Sequence, residues 1–201
     1  CFASGFAESE AEGTGGADLQ ARLVAAAGGM PILGPNCYGF LNYLDNVTLW
    51  PDQHGGIPVA SGVAIVGQSS NMAINMTMQR RALPIAYVLT AGNQAQTSLS
   101  DLGIAALADD RVTALGLHVE GFGDIRAFER LAGFARDRGK PVVVLKAGRS
   151  EAAQAATLTH TASLAGGAAA ASALIARLGM VEVFELAEFL EVLKTLHFGG
   201  P

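Results

Sequence analysis

The sequence has few cysteines and no long uninterrupted apolar run. Two cysteines among 201 residues, Cys1 and Cys37, form no metal-ligand spacing. So low a count indicates a reducing compartment rather than a disulfide-stabilised secreted protein, and we expect a cytoplasmic location. Gly, Pro or charged residues interrupt the apolar stretches well before the ~20 residues that a transmembrane helix needs, so we expect no membrane span.

Positive charge is also scarce. The chain has 13 basic and 18 acidic residues, a formal net charge of −5. It lacks the basic cluster interleaved with aromatic residues that nucleic-acid binding requires, so nucleic acid is not an expected partner. What the chain does contain is apolar residues, 50% of its composition, which is enough for a large core. These features indicate a globular α/β protein.

From Gly62 onward, short β-rich apolar runs alternate with amphipathic stretches of helical length. This pattern predicts βαβ units and one complete, doubly wound parallel sheet over residues 62–201. The predicted strands are 63–66, 85–89, 114–119, 142–145 and 181–184. The predicted helices lie near 70–81, 98–108, 124–138, 165–178 and 185–196.

The residues before Gly62 are too few for an independent domain. They predict a helix over 17–27, a strand over 31–33 and then a Gly-Pro-Asn-Cys-Tyr-Gly turn over 34–39. We divide the chain into an upstream remnant (1–44), a connector with at most a short extended piece (45–61) and the main domain. The chain opens on Cys-Phe-Ala-Ser-Gly-Phe without an initiator Met, so we expect it to be part of a longer protein.

Candidate functional residues follow the predicted strands, where parallel sheets bind ligands. Gln68, Ser69 and Ser70 follow the first strand, Asn93 follows the second, and Glu120 follows the third. The small polar residues suit anion binding through hydroxyls and amides. An ordinary helix cap explains the serines equally well, and a solvated loop acid explains Glu120.

The strongest local signal follows the fourth strand, where His160 lies among small residues before a predicted helix. A neutral imidazole is nucleophilic and forms a labile phosphoramidate, so a histidine in an anion-binding loop suits phosphoryl transfer. A structural histidine is the alternative, and we keep that interpretation for His54, His118 and His197. The strand order should bring Gln68 to Asn71, Glu120 and the His160 loop to one edge of the sheet.

These residues carry a resemblance to a known family. Thr159 to Gly166 resembles the Ser-His-Thr-Gly-Ser-Leu-Ala-Gly signature of ADP-forming acetyl-CoA synthetases, relatives of the succinyl-CoA synthetase α-subunit. Further similar segments, in the same order as in the family, are Gly34-Pro35-Asn36-Cys37, Val66-Gly67-Gln68-Ser69, Gly92-Asn93, Val119-Glu120-Gly121 and Val144 to Arg149. The sequence also departs from the family pattern, since Ser70 and Ala162 replace glycines and Gln94 replaces a common lysine.

The resemblance implies a flavodoxin-like domain preceded by the end of a Rossmann-like CoA-binding domain. It implies that His160 carries a phosphoryl group and that Glu120 orients its ring. The implied phosphate contacts are Gln68, Ser69, Ser70, Asn93, Ser163 and Gly166, and the implied CoA contacts are Asn36 and Cys37. No metal ligand is implied in this chain.

The resemblance also implies an activity and partners. The enzyme would make acyl-CoA from a carboxylic acid, CoA and ATP or GTP through acyl phosphate and phospho-His160. An ATP-grasp domain or subunit would bind the nucleotide with Mg²⁺, the enzyme would be oligomeric, and the chain alone would be inactive. Two alternatives remain at this point: a non-catalytic acyl-CoA-sensing module, and an anion-binding domain without phosphoryl chemistry.

Overall fold

The structure, a computed structural model, describes residues 1–148 and 167–200. Its helices are α1 (Gly16–Ala27), α2 (Ser70–Thr77), α3 (Leu99–Ala108), α4 (Ile125–Asp137), α5 (Ala168–Arg177) and α6 (Leu186–Gly199), with a 3-10 helix over Ala7–Glu12. Its strands are β1 (Phe40–Asn42), β2 (Val47–Leu49), β3 (Gly62–Gly67), β4 (Ile85–Thr90), β5 (Val112–Val119), β6 (Val142–Lys146) and β7 (Val181–Val183).

All seven strands form one sheet in the order β2-β1-β4-β3-β5-β6-β7. The five strands from β3 to β7 are parallel, and β1 pairs antiparallel with both β2 and β4. Within the parallel set, β4 lies on one side of β3 and the later strands lie on the other. This is the doubly wound flavodoxin-like order, and its ligand crevice is expected between the carboxyl ends of β3 and β5.

Two apolar layers cover the sheet. Every residue of β3 is buried, as expected for a central parallel strand that reads as a continuous apolar run. One face packs against α3, α4 and α5 through residues such as Leu107, Leu131 and Ile175. The other face packs against α2 and α6 through residues such as Met76 and Phe189. The layers hold the carboxyl ends of β3, β4 and β5 at one edge.

Three sequence expectations about the elements need correction. Residues 31–33 are not a strand, because the Ile32 N–H donates to the Gln96 side chain (2.7 Å) instead of a strand ladder. Helix α2 ends at Thr77 rather than residue 81, because the following residues turn into β4 with Ala82 in the left-handed region (φ 54°). The sheet also begins at Phe40 rather than Gly62. The predicted domain division at residue 61 remains a prediction.

Candidate functional site

A polar cleft of about 660 Å³ lies at the carboxyl edge of the sheet. Seven of the residues singled out from the sequence line it: Asn36, Cys37, Gln68, Ser69, Ser70, Asn93 and Glu120. They come from four separate segments, which the strand order brings together. The other three singled-out residues, His160, Ser163 and Gly166, lie outside the described residues.

The serines form the start of α2. Ser69 is the N-cap residue, with extended backbone, and its side chain accepts a hydrogen bond from the Met72 N–H (3.3 Å). The Ser70 Oγ accepts from the Tyr38 N–H (2.9 Å), and a hydroxyl that accepts in this way can still donate its own proton. A helix start carries about half a positive charge and unpaired N–H groups, which favour an anion in the cleft.

The side chain of Gln68 forms hydrogen bonds with the loop that carries Glu120. The residue is only 5% exposed. Its Oε1 accepts from the N–H groups of Glu120 and Gly121 (3.0 Å for Gly121), and its Nε2 donates to the Gly121 carbonyl (3.2 Å). In this structure the amide therefore orients the β5–α4 loop. A direct phosphate contact by Gln68 remains a prediction.

Lys146, which the sequence reasoning did not select, holds the same loop from the other side. It is the last residue of β6, lies opposite Val119 in the ladder and is 4% exposed. Its Nζ donates to the Glu120 carbonyl (2.9 Å) and to the Ala147 carbonyl. The sequence feature that could have identified Lys146 is its place at the carboxyl end of a predicted buried strand. The backbone N–H and carbonyl of Glu120 are thus both anchored by buried side chains.

Asn93 connects the cleft to the upstream segment. Its Nδ2 donates to the Glu8 carboxylate and to the Gln20 Oε1 (3.1 Å), and its N–H donates to the Pro35 carbonyl (3.0 Å). Burial alone raises the pKa of the Glu8 carboxyl, but hydrogen bonds from Asn93 and backbone groups outweigh it and lower that pKa. Asn93 therefore positions residues 7–20 against the main domain.

The turn that contains Asn36 and Cys37 packs directly on the residues after β4. A side chain at Gly92 would place its Cβ 2.2 Å from the Pro35 carbonyl oxygen, so only glycine fits there. Asn36 adopts a left-handed conformation (φ 58°), and its N–H donates to the Ala3 carbonyl (2.9 Å). Cys37 is 3% exposed, and burial raises the pKa of its thiol. The thiol is therefore held in its protonated form.

His118, which the sequence analysis interprets as a structural histidine, lies in the core. It lies in β5 opposite Gly67, and it is 4% exposed. Burial, with a smaller contribution from the Lys146 charge, lowers its pKa to about 4. Its Nδ1 has no hydrogen-bond partner in the described part of the chain. The ring is therefore neutral at physiological pH.

No group of three potential metal ligands occurs among residues 1–148 and 167–200. Over the same ranges, no helix is long and apolar enough to cross a membrane.

Comparison with known proteins identifies the family. Residues 60–196 match the family described as "Succinyl-CoA ligase like flavodoxin domain", and the chain belongs to it. Among solved structures, it is similar to the dinucleotide-forming acetyl-coenzyme A synthetase 1 of Ca. Korarchaeum cryptofilum in complex with phosphate and ADP. That similarity has a TM-score of 0.78 and 27% identity, covering 94% of this chain and 40% of the other.

Several curated relatives cover nearly the whole chain. A trans-feruloyl-CoA synthase from an unknown prokaryotic organism is 32% identical, over 95% of this chain and 28% of its own length. The ADP-forming acetate–CoA ligase I of Archaeoglobus fulgidus is 31% identical, over 94% and 27%. The α-subunit of the ADP-forming acetate–CoA ligase I of Pyrococcus furiosus is 30% identical, over 97% and 42%. The chain therefore spans less than half of each of these relatives.

Proposed function

We propose that this chain is the phosphohistidine-bearing part of an NDP-forming acyl-CoA synthetase. The observation that supports it most directly is the cleft, because Ser69, Ser70 and Glu120 line it together at the carboxyl edge of a flavodoxin-like sheet. The start of α2 supplies partial positive charge where a phosphoryl group would be held. The three relatives described above are named as a feruloyl-CoA synthase and two acetate–CoA ligases, and two of the names specify ADP formation.

The proposed reaction consists of two phosphoryl transfers and one acyl transfer. The unprotonated nitrogen of His160 attacks the terminal phosphorus of a nucleoside triphosphate, and the nucleoside diphosphate leaves. A substrate carboxylate then takes the phosphoryl group from His160 and becomes an acyl phosphate. The CoA thiol attacks the acyl carbon after losing its proton, the carbon–sulfur bond forms, and inorganic phosphate leaves.

The residues of this chain would bind and orient in these steps. The hydroxyls of Ser69 and Ser70 and the first N–H groups of α2 would hold the phosphoryl group electrostatically. Glu120 would accept a hydrogen bond from one ring nitrogen of His160 and so fix the tautomer in which the other nitrogen attacks. Asn36 and Cys37 would contact CoA. An ATP-grasp domain or subunit elsewhere would bind the nucleotide and Mg²⁺.

Labelling the full-length protein with ATP carrying radioactive γ-phosphate tests this proposal. Wild type should take up an acid-labile, base-stable label, and His160→Ala should abolish both the label and acyl-CoA formation. His197→Gln is the matched control, because that ring lies on α6 and pairs with the Thr113 hydroxyl (2.8 Å) away from the cleft. Equal labelling of His160→Ala would show that another residue carries the phosphoryl group.

The acid substrate is a separate question. The names of the relatives include acetate, 4-hydroxybutyrate and a feruloyl group, so membership of the family does not identify the acid that this protein uses. The proposal therefore names the substrate only as a carboxylic acid.

A further inference from the structure

Ser70 connects the polar cleft with the turn over residues 34–39 through a hydrogen bond. It is the first residue of α2 and lines the cleft. Its Oγ accepts from the Tyr38 N–H (2.9 Å), and this contact is partly buried. In the family pattern that the sequence resembles, glycine stands at position 70, and glycine has no side chain that could accept this bond. The connection is therefore a feature of this chain rather than of the family pattern.

The turn is fixed to the end of β4 by backbone contacts at both of its ends. The Thr90 N–H donates to the Gly39 carbonyl (2.9 Å), and the Thr90 hydroxyl accepts from the Gly39 N–H (3.0 Å). The Asn93 N–H donates to the Pro35 carbonyl (3.0 Å). These bonds lie between the turn and the sheet, so they do not depend on what packs against the outer face of the turn. They hold the Tyr38 N–H within reach of its acceptor.

The Ser70 hydroxyl can donate as well as accept. Across residues 1–148 and 167–200, it has no acceptor for its own proton. A phosphoryl group at the start of α2 would provide one. A hydroxyl that donates to an anion accepts more strongly in turn, since hydrogen bonds in a chain strengthen one another. An occupied cleft should therefore strengthen the bond from the Tyr38 N–H to Ser70.

We infer that Ser70 couples phosphoryl binding in the cleft to CoA binding at the turn over residues 34–39. The inference rests on the proposed function, in which the phosphoryl group lies at the start of α2 and Asn36 and Cys37 contact CoA. A turn that Ser70 already orders loses less conformational entropy when CoA binds. CoA then binds more tightly while the acyl phosphate is present, which is the step that uses its thiol. By linkage, CoA tightens phosphate binding by the same factor.

Calorimetric titration of the full-length protein with CoA, without and with saturating inorganic phosphate, measures this coupling. We expect phosphate to lower the Kd of CoA about fivefold in the wild type, at the lower end of typical couplings between two sites. In Ser70→Gly and Ser70→Ala, the ratio of the two Kd values should fall to about one. Both variants should fold, because Ser69 remains the N-cap residue of α2.

Hydrogen exchange locates the effect in the turn. Inorganic phosphate should slow exchange of the Tyr38 amide about fivefold in the wild type and leave it unchanged in both Ser70 variants. The matched control is Ser98→Gly, which removes a serine hydroxyl at the start of another helix. The Ser98 Oγ accepts from the Asp101 N–H (3.1 Å), and the residue does not line the cleft. This variant should keep the wild-type ratio of Kd values.

Labelling of the wild type with radioactive ATP separates failure of the coupling from failure of the proposed function. Label on His160, together with a CoA affinity that phosphate does not change, keeps the proposed function and overturns the coupling. A fivefold change that persists in both Ser70 variants also overturns it, because another contact then carries the effect. Loss of phosphate binding from a variant would assign Ser70 to holding the anion alone, which overturns the coupling as well. Absence of label from the wild type removes the proposed function and the coupling together.

Discussion

Replacing Gln68 should destabilise the loop that carries Glu120. Gln68→Met keeps nearly the same volume but removes three hydrogen bonds, two from the N–H groups of Glu120 and Gly121 and one to the Gly121 carbonyl. Gly121 is buried, so its N–H loses its partner without gaining full access to water. An unsatisfied buried group costs about 1–3 kcal/mol, so the free energy of unfolding should fall by about 2–4 kcal/mol. For a chain of this length, that lowers the Tm by roughly 5 to 15 °C.

Circular dichroism melting of wild type and variant measures the change in Tm, and hydrogen exchange over residues 119–122 locates it. The matched control is Gln79→Met, because Gln79 is exposed and makes one helix-surface contact with the Asn75 carbonyl (3.3 Å). We expect faster exchange of the loop amides in the Gln68 variant alone. An equal Tm shift in both variants, or unchanged exchange over the loop, would refute the view that Gln68 anchors it.

Three further predictions concern titratable groups. Glu120→Gln should slow phosphorylation of His160 by roughly one to two orders of magnitude in single-turnover labelling, because a charge-assisted hydrogen bond is lost; an unchanged rate would remove Glu120 from the site. Burial raises the pKa of Tyr43 to about 12, so its contribution to stability should be lost as pH rises from 10 through 12, with a late phenolate absorbance that Tyr43→Phe removes. Folding lowers the pKa of His118 from 6.5 to about 4, so the free energy of unfolding should fall by about 3 kcal/mol as the pH drops from 6.5 to 4. Urea unfolding at a series of pH values measures this change, and His118→Leu should not show it.

The sequence was sufficient to predict most of the sheet because its central strands, such as β3 and β6, are buried on both faces. A strand such as β3, buried at every residue, appears in sequence as a short apolar run between turn residues. The prediction that polar residues after β3, β4 and β5 share one edge followed from parallel strand order alone. The cleft that contains Ser69, Asn93 and Glu120 agrees with it.

The strands β1 and β2 could not be predicted in the same way. Each has three residues, too few to show a period of two, and all three residues of β2 are exposed. Their pairing is set by position, since β4 would otherwise present an open edge and β1 covers it, with Phe40 opposite Leu89. Sequence periodicity reports burial, and β1 and β2 together have a single fully buried residue, Leu41, which is too little to show a pattern.

The position of Glu120 shows why individual side-chain contacts could not be predicted from the sequence. Whether Glu120 is a solvated loop acid or a positioned one depends on Gln68 and Lys146, which are 52 and 26 residues away along the chain. Gln68, just after β3, accepts from the Glu120 N–H, and Lys146, in β6, donates to the Glu120 carbonyl, so buried side chains hold both polar backbone groups of Glu120. A backbone anchored in this way limits how far the carboxylate can move, which is the condition for orienting a nucleophilic ring. This anchoring supports the proposal that Glu120 is positioned. It also makes Lys146 a residue whose loss should impair phosphoryl transfer through the loop rather than through contact with the substrate.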